Sequence, residues 1–482
     1  MEIIIWAVLG LLAALAAFGV IFTGIIGIQF SRNLKEGLLP YFFYPALFSS
    51  GLMVLLSSRT FSVDGGTNEA LVNSSAAAAV WAIRLNSIFT LIAVADQVVR
   101  YFATRPKIDA PRALLFLAFC LFWVTNVPIA AYFASHQVAP ELQWVYGPAL
   151  IFGLLCLSRE GAHETIKSSR NAIILYCAAG LVLIFIMPDK VLDRQYAQGY
   201  VPGLPRFSGL APHAITLGLT ASIALWCLIT EPLKTKWINR SAWAICLLTL
   251  FLAQSKTVWM AFLVGAPILK YYQNGLPKLT ARGIGRLNVL YFIVPAGMIG
   301  VSCIVAAYFL FGNGADRLQD FLQTKQGAQI LTGTGRDLIW EIALREWHAS
   351  PIFGYGLNLF DFDYRTQIHM SNATSGHNQF IDALGRTGIV GCIGFSIYLF
   401  SLLFFGFRYA SQSSGLTLVV SLLILVRSIT EVAISPAGIG ITETASYVLI
   451  AALAACFTKA QVVNTRKFRT VSMPNQIFNK TA

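Results

Sequence analysis

Residues 387–407 read Thr-Gly-Ile-Val-Gly-Cys-Ile-Gly-Phe-Ser-Ile-Tyr-Leu-Phe-Ser-Leu-Leu-Phe-Phe-Gly-Phe, twenty-one positions without a charge between Arg386 and Arg408. At about 1.5 Å of rise per residue, a helix of that length crosses a hydrocarbon core of about 30 Å. Working outward, similar blocks recur near 415–433 and 439–457 on the C-terminal side. Towards the N-terminus they recur near 288–311, 257–269, 241–253, 211–230, 171–187, 142–157, 113–134, 77–95, 39–57 and 3–28. The pair at 241–253 and 257–269 is short and reads as a broken hairpin around Gln254-Ser255-Lys256-Thr257, and the block at 77–95 carries Arg84. In lipid every backbone polar group must be satisfied internally, so such blocks predict helices. The expected fold is an all-α polytopic membrane protein with about 12–13 transmembrane helices.

Composition agrees with that reading. Of 482 residues, 56% are hydrophobic and 12% charged, with a mean hydropathy of +0.66; soluble domains carry about 25% charged residues. A soluble enzyme and a secreted domain are both excluded. The block at 3–28 is too long for a signal-peptide core and lacks a basic leader, so it is expected to be a retained first span. All eight cysteines fall in or beside apolar runs without a CxxC or zinc spacing and read as core residues. The excess of 35 Lys+Arg over 22 Asp+Glu gives +13, which in a soluble protein would point to nucleic acid. Here the basic residues sit in loops, so topology explains them and no nucleic-acid partner is expected.

With Arg84, Lys256 and Arg427 set aside as lying within or between spans, alternate sides of the assignment collect 22 and 10 Lys+Arg. The basic side holds the connections at 30–38, 96–112, 158–170, 231–240, 270–287 and 408–414 and the tail at 458–482, with Arg466, Lys467 and Arg469. The positive-inside rule makes this side cytoplasmic. The opposite face then carries 188–210 and a long segment, 312–386, of about 75 residues. Loops of that length are usually functional.

Within the long loop, Thr334-Gly335-Arg336-Asp337 reads as a capping box opening a helix whose apolar positions Leu338, Ile339, Ile342, Ala343 and Trp347 continue to Ser350-Pro351. Residues 354–360 form a turn-rich linker. A second short helix is predicted over 375–385, running into Gly388, Gly391 and Gly394 at the start of the next span.

The ionisable residues on this face are the candidates for chemistry. Arg336 puts a cation in the first turn of a helix, where the dipole favours an anion, which suggests a bound phosphate; its alternative is an exposed pair with Asp337 or Glu341. Arg206 lies in a rigid Pro/Gly-rich stretch, 201–213, entering a span; a charge at that depth is functional by default, or else snorkels to the interface. Lys256 sits between two short apolar segments, where burial would require an anion; otherwise it is an interfacial lysine. His377, in a Gly-His-Asn turn on the same face, suits a general base for a sugar hydroxyl near neutral pH. A metal site from Asp361, Asp363, His369 and His377 lacks recognised spacing, so none is expected. Arg427 and Glu431 lie four apart within a span and would pair on one helical face, locking helix packing or bordering the cavity, where Arg427 would help bind substrate.

Several segments together resemble the O-antigen ligase and O-antigen (exopolysaccharide) polymerase family of bacterial membrane glycosyltransferases. They are Arg206-Phe207-Ser208-Gly209-Leu210, Gln254-Ser255-Lys256-Thr257, Gly335-Arg336-Asp337-Leu338-Ile339-Trp340 and Pro351-Ile352-Phe353-Gly354-Tyr355-Gly356. Gly376-His377-Asn378 and Gly385-Arg386-Thr387-Gly388-Ile389-Val390-Gly391 complete the set. No single piece is specific; their order, the topology and the large loop carry the resemblance, over roughly 200–395. The family looks like a twelve-span fold with both ends inside, one span fewer than the count above.

The resemblance implies a multi-pass enzyme of the bacterial inner membrane, needing no metal or cofactor and working at the periplasmic face. Its donor would be a glycan linked to undecaprenyl diphosphate. Arg206 and Arg336 would hold the diphosphate, His377 would activate the acceptor hydroxyl, and Asn378 would orient His377 or the sugar. The acceptor would be another lipid-linked repeat unit in a polymerase, the lipid A-core sugar in a ligase, or a protein hydroxyl in a related branch. The Gln-Ser-Lys-Thr hairpin leans towards the polymerases. Membrane lipid and a chain-length regulator are the further candidate partners. The different class is a transporter of lipid-linked oligosaccharide, against which stand the gathering of charges at one face, the lack of an internal repeat and the long loop. The chain divides accordingly into N-terminal helices (1–200), a ligase-like region (201–395) with the periplasmic loop 312–386, C-terminal helices (396–457) and a basic tail (458–482).

Overall fold

Apolar blocks without internal polar partners fold here into helices. A computed structural model of the chain describes residues 34–57, 77–104, 108–194, 204–273, 336–370 and 373–457. After a 3-10 turn (Leu39–Tyr41), the helices are α1 (Phe43–Leu56), α2 (Ala77–Thr104), α3 (Ala110–Asn126), α4 (Pro128–Phe133), α5 (Tyr146–Leu155, behind a 3-10 turn at Leu142–Val145), α6 (Arg159–Ile186) and α7 (Pro188–Val191). They continue as α8 (Ala214–Thr230), α9 (Lys236–Leu252), α10 (Lys256–Gln273), α11 (Arg336–Ala349), α12 (Phe362–Gln367), α13 (Gln379–Arg408), α14 (Leu416–Thr430) and α15 (Thr444–Phe457). Among the described residues the β-structure is one antiparallel pair, β1 (Leu192–Asp193) with β2 (Arg206–Phe207).

Eleven of the thirteen expected spans fall in these residues, and a helix stands at each. The blocks at 3–28 and 288–311, the loop residues 312–335 and the tail 458–482 lie outside the described residues. Five helical stretches are long and apolar enough to cross a bilayer: Leu39–Leu56, Val80–Thr104, Ala110–Phe133, Arg159–Ile186 and Gln379–Arg408. The chain is an all-α, multi-pass membrane protein.

Two boundaries differ from the sequence reading. The connection at 158–170 is not a loop: α6 begins at Arg159, with the Ser158 hydroxyl accepting from Gly161 N at 2.8 Å. Its first three turns bury Ala162, Thr165, Ile166 and Ser169 on one face, and the charges on the other face masked that stripe in the sequence. The short helix expected over 375–385 starts later, at Gln379 after its N-cap Asn378, and meets the following span at a kink at Gly388; α13 denotes the two segments together.

That break positions the loop above it. Gly388 has φ 64° and ψ −163°, a conformation essentially restricted to glycine. Ile389 N and Val390 N, freed by the break, donate to Pro351 O (2.9 Å) and Ile352 O (3.3 Å). Gly354 passes so close that a Cβ there would meet Thr387 N at 2.6 Å. Tyr355 N and Gly356 N then donate to Gly385 O and Arg386 O at 2.8 and 2.9 Å. The segments Pro351–Gly356 and Gly385–Gly391 are thus two halves of one backbone joint. Gly388→Ala would force a forbidden backbone conformation and push a methyl into the Ile352 carbonyl. The conformational strain alone is about 1–3 kcal/mol, so the purified variant is expected to melt clearly below wild type; equal melting temperatures would refute the joint.

Packing carries the joint to the bundle. α13 lies along α3, with Phe122 and Tyr398 stacked at 5.5 Å and Phe119 edge-on to Tyr398 at 5.2 Å. Gly394 of α13 leaves room for Thr125, a close helix approach that small residues allow in membranes. Every residue of α15 is buried, and nearly all of α8, so these two form the bundle's centre. Above it, Ile339, Ala343, Leu359, Phe360, Tyr364 and Ala373 make a small separate core for the loop helices.

Candidate functional site

The site forms where α14 ends. A helix terminus leaves carbonyls without intrahelical partners, and two residues of the long loop supply them. Asn378 Nδ2 donates to Ile429 O at 3.0 Å, and Arg336 Nη1 donates to Thr430 O at 2.7 Å. A cation there also complements the negative end of the helix dipole. Arg336 Nη2 then reaches Glu431 Oε1 at 2.7 Å, and the other carboxylate oxygen, Oε2, pairs with His377 Nδ1 at 2.8 Å. Glu431 bridges Arg336 and His377.

The turn bearing His377 is built to present it. His377 has φ +45°, a left-handed conformation uncommon for a side chain of that size. Gly376 beneath it is clamped on both sides: its N–H donates to Asp382 Oδ1 at 2.8 Å, and its carbonyl accepts from Trp340 Nε1 at 2.8 Å. Asn378 is the N-cap of α13, its Oδ1 accepting from Phe380 N and Ile381 N at 2.9 and 3.2 Å. Trp340 comes from α11, whose first described residue is Arg336, so one helix supplies both the guanidinium and the brace for the histidine turn.

The electrostatics follow from this bridge. α14 stops at Thr430, so Glu431 lies beyond the apolar helix. Burial pushes the Glu431 carboxyl upward, but the hydrogen bond to His377 and the charges of His377, Arg336 and Arg427 outweigh it and hold the carboxyl below the ordinary glutamate range. His377 Nδ1 is turned to the Glu431 carboxylate; an imidazole that donates Nδ1–H to it keeps its lone pair on Nε2, the nitrogen that can act as a base.

The expected pairing of Arg427 with Glu431 is not formed as a helical i,i+4 contact. Glu431 has an extended backbone (φ −155°, ψ 171°), and its carboxylate turns to Arg336 and His377. Arg427 is 5% exposed, and its Nε has no hydrogen-bond partner among the described residues. Asp361, one of the four residues weighed above as metal ligands and set aside, caps α12 by accepting from Tyr364 N at 2.8 Å, and among the described residues no three His, Cys, Asp or Glu side chains gather as ligands.

Arg206 and Lys256 form a second cluster. β2 holds Arg206 opposite Asp193, and its Nε donates to Ala253 O at 3.2 Å. Gln254, at φ +48° in the tight turn between α9 and α10, donates from Nε2 to Leu204 O and Pro205 O at 2.9 and 3.2 Å. The Gln-Ser-Lys-Thr turn is therefore the clamp on the Arg206 segment. Lys256 opens α10, exposed, at the mouth of a 440 Å³ groove between α10 and α14. The groove runs from Lys256 and Val426 to Ile268 and Val419 and is otherwise almost wholly apolar. Its mouth is one residue from Arg427.

Residues 242–396 match the family model described as O-antigen ligase. The chain carries a domain of the O-antigen ligase family. No curated protein matches the chain. The ligase-family domain takes in α10, α11, α12 and most of α13, with Lys256, Arg336, His377 and Asn378, and begins after Arg206. Glu431 and Arg427 lie beyond its other end. The central residue of the bridge, Glu431, is therefore one that the sequence analysis named only as a packing partner. Its signal was present, since an ionisable group at the edge of a span is a site candidate by default.

Proposed function

We propose that this ligase-family protein transfers glycan from an undecaprenyl-diphosphate-linked donor to an acceptor hydroxyl at the periplasmic face of the bacterial inner membrane. The observation that supports it most is the Arg336–Glu431–His377 bridge, which sets an imidazole whose Nε2 has no partner among the described residues beside a guanidinium. Two donors of that guanidinium are engaged by Thr430 and Glu431; of the five N–H bonds arginine carries, the others have no partner among the described residues and suit an anion.

In this reading the acceptor oxygen attacks the anomeric carbon while its proton passes to His377 Nε2. The bond between that carbon and the diphosphate oxygen breaks, and undecaprenyl diphosphate leaves with the electron pair. Arg336, Arg206, Lys256 and the buried Arg427 are the cations for the leaving group, whose stabilisation needs no metal when fixed donors are in place. The groove between α10 and α14 takes the polyprenyl chain, its apolar walls suited to hydrocarbon and its cationic mouth to the diphosphate. Asn378, as N-cap and clamp on Ile429, fixes the turn, and Glu431 rather than Asn378 orients the imidazole.

The acceptor is taken to be a second lipid-linked repeat unit, which makes the protein a polymerase; ligation to lipid A-core is the alternative. The test is purified protein with a lipid-linked repeat unit, with and without added core. A ladder from donor alone is the expected result. Product only when core is supplied would make the protein a ligase, and no transfer under either condition would refute the glycosyltransferase reading in favour of transport.

A further inference from the structure

Next to the histidine turn, lined by Ser375 and Gln379 on either side of His377, lies a second cavity of 500 Å³. It opens between the end of α3, the 3-10 turn Leu142–Val145, the first turns of α13 and residues 432–438. Its volume falls in the roughly 300–1,000 Å³ range of ligand pockets. Its walls border both site residues along the chain: Ser375 and Gln379 flank His377 by two positions, and Val432 follows Glu431.

Its chemistry differs from that of the apolar groove. Asp382 and Arg386 face each other at 3.1 Å, so the charged lining is internally neutral. An anion such as the donor diphosphate gains little there, and a hydrocarbon chain would strand buried polar groups. Gln379 is 5% exposed; its Oε1 accepts from Ile434 N at 2.9 Å, and its Nε2 has no acceptor among the described residues. Half-buried Trp144 adds an aromatic ring whose backbone carbonyl, accepting from Trp123 Nε1 at 2.8 Å, anchors it independently of the side chain. A buried amide donor, a hydroxyl from Thr374, a neutral ion pair and an aromatic face suit an uncharged polyol.

We propose that this cavity is the acceptor subsite and holds the terminal sugar of the acceptor glycan, with Trp144 against the ring and Gln379 Nε2 donating to a hydroxyl or ring oxygen. The proposal rests on the glycosyltransferase reading for its place in the reaction, but not for its ligand. The sugar presents its reacting hydroxyl at the rim, where Ser375 and Val432 adjoin His377 and Glu431 along the chain.

The test separates the two claims. Binding of a soluble oligosaccharide of the repeat unit is measured by titration calorimetry on wild type, Trp144→Ala, Trp144→Phe and Gln379→Glu, alongside initial rates against acceptor and against donor. Trp144→Ala is expected to weaken oligosaccharide binding and raise the acceptor KM on the order of tenfold, leaving the donor KM unchanged. Trp144→Phe should recover most of the loss, and Gln379→Glu, which keeps the acceptor for Ile434 N but removes the donor, should weaken binding without lowering the melting temperature. Wild-type oligosaccharide affinity in Trp144→Ala, or a rise in donor KM instead, overturns the subsite. Oligosaccharide binding that depends on Trp144 in a protein that never transfers glycan would keep the subsite and discard the transferase reading.

Discussion

His377→Ala is expected to lower glycan transfer by about 10²- to 10⁴-fold, the usual contribution of a positioned general base, while donor still binds. In the proposed mechanism the effect falls on the chemical step, because Nδ1 is engaged by Glu431 at 2.8 Å and Nε2 serves the acceptor hydroxyl rather than the diphosphate. Alanine at φ +45° carries its own strain, so His377→Asn is the companion variant, asparagine being one of the few residues that visits left-handed backbone readily. Both should lose transfer to the same degree, with donor affinity near wild type, and His377→Asn should also melt near wild type. A His377→Asn protein that transfers at the wild-type rate would remove the base from the mechanism.

Glu431→Gln should be nearly as damaging, about 10²- to 10⁴-fold, by analogy with the orienting acid of other base–acid pairs. The amide keeps the size of the carboxylate but can donate to Nδ1, which stabilises the tautomer with Nε2 protonated and unable to accept a proton. It also removes the counter-charge of Arg336, whose guanidinium then faces the donor diphosphate alone. The expected signature is therefore a fall in kcat with a donor KM that stays level or drops. A purely structural role for Glu431 predicts the reverse, with donor KM rising and melting temperature falling together, because the end of α14 would be released from Arg336 and His377. The two outcomes are distinguishable in one titration.

The fold was legible because its signal is physical and repetitive: uncharged blocks of bilayer length have few structures open to them. The helix ending at Ala349 and the break at Gly388 were also visible, as Ser350-Pro351 and as a run of glycines entering a span. The start of α6 was not, because its first three turns carry Arg159, Glu160, His163, Glu164 and Lys167 and look like a loop until the buried stripe is seen. Within the site, Arg336 and His377 were legible as isolated polar residues in a long loop, but their junction was not. Spacing by four implied Arg427 with Glu431, a rule that holds only while the helix continues; α14 ends one residue too soon, and the carboxylate swings to partners 95 and 54 residues away in sequence. Asn378 stood directly before the apolar run of α13, the position of an N-cap, and that local role was readable without any sugar.

The central claim is that a bridged Arg336–Glu431–His377 site breaks a glycosyl–diphosphate bond. It is tested most directly by incubating the purified wild type in lipid nanodiscs with an undecaprenyl-diphosphate-linked oligosaccharide and a metal chelator, and following undecaprenyl diphosphate together with the extended or transferred glycan. The expected result is release of undecaprenyl diphosphate in step with new glycosidic bonds by wild type, and donor binding without release by His377→Ala. Equal release by both proteins, or donor that is bound by wild type and never cleaved with either acceptor, would contradict it.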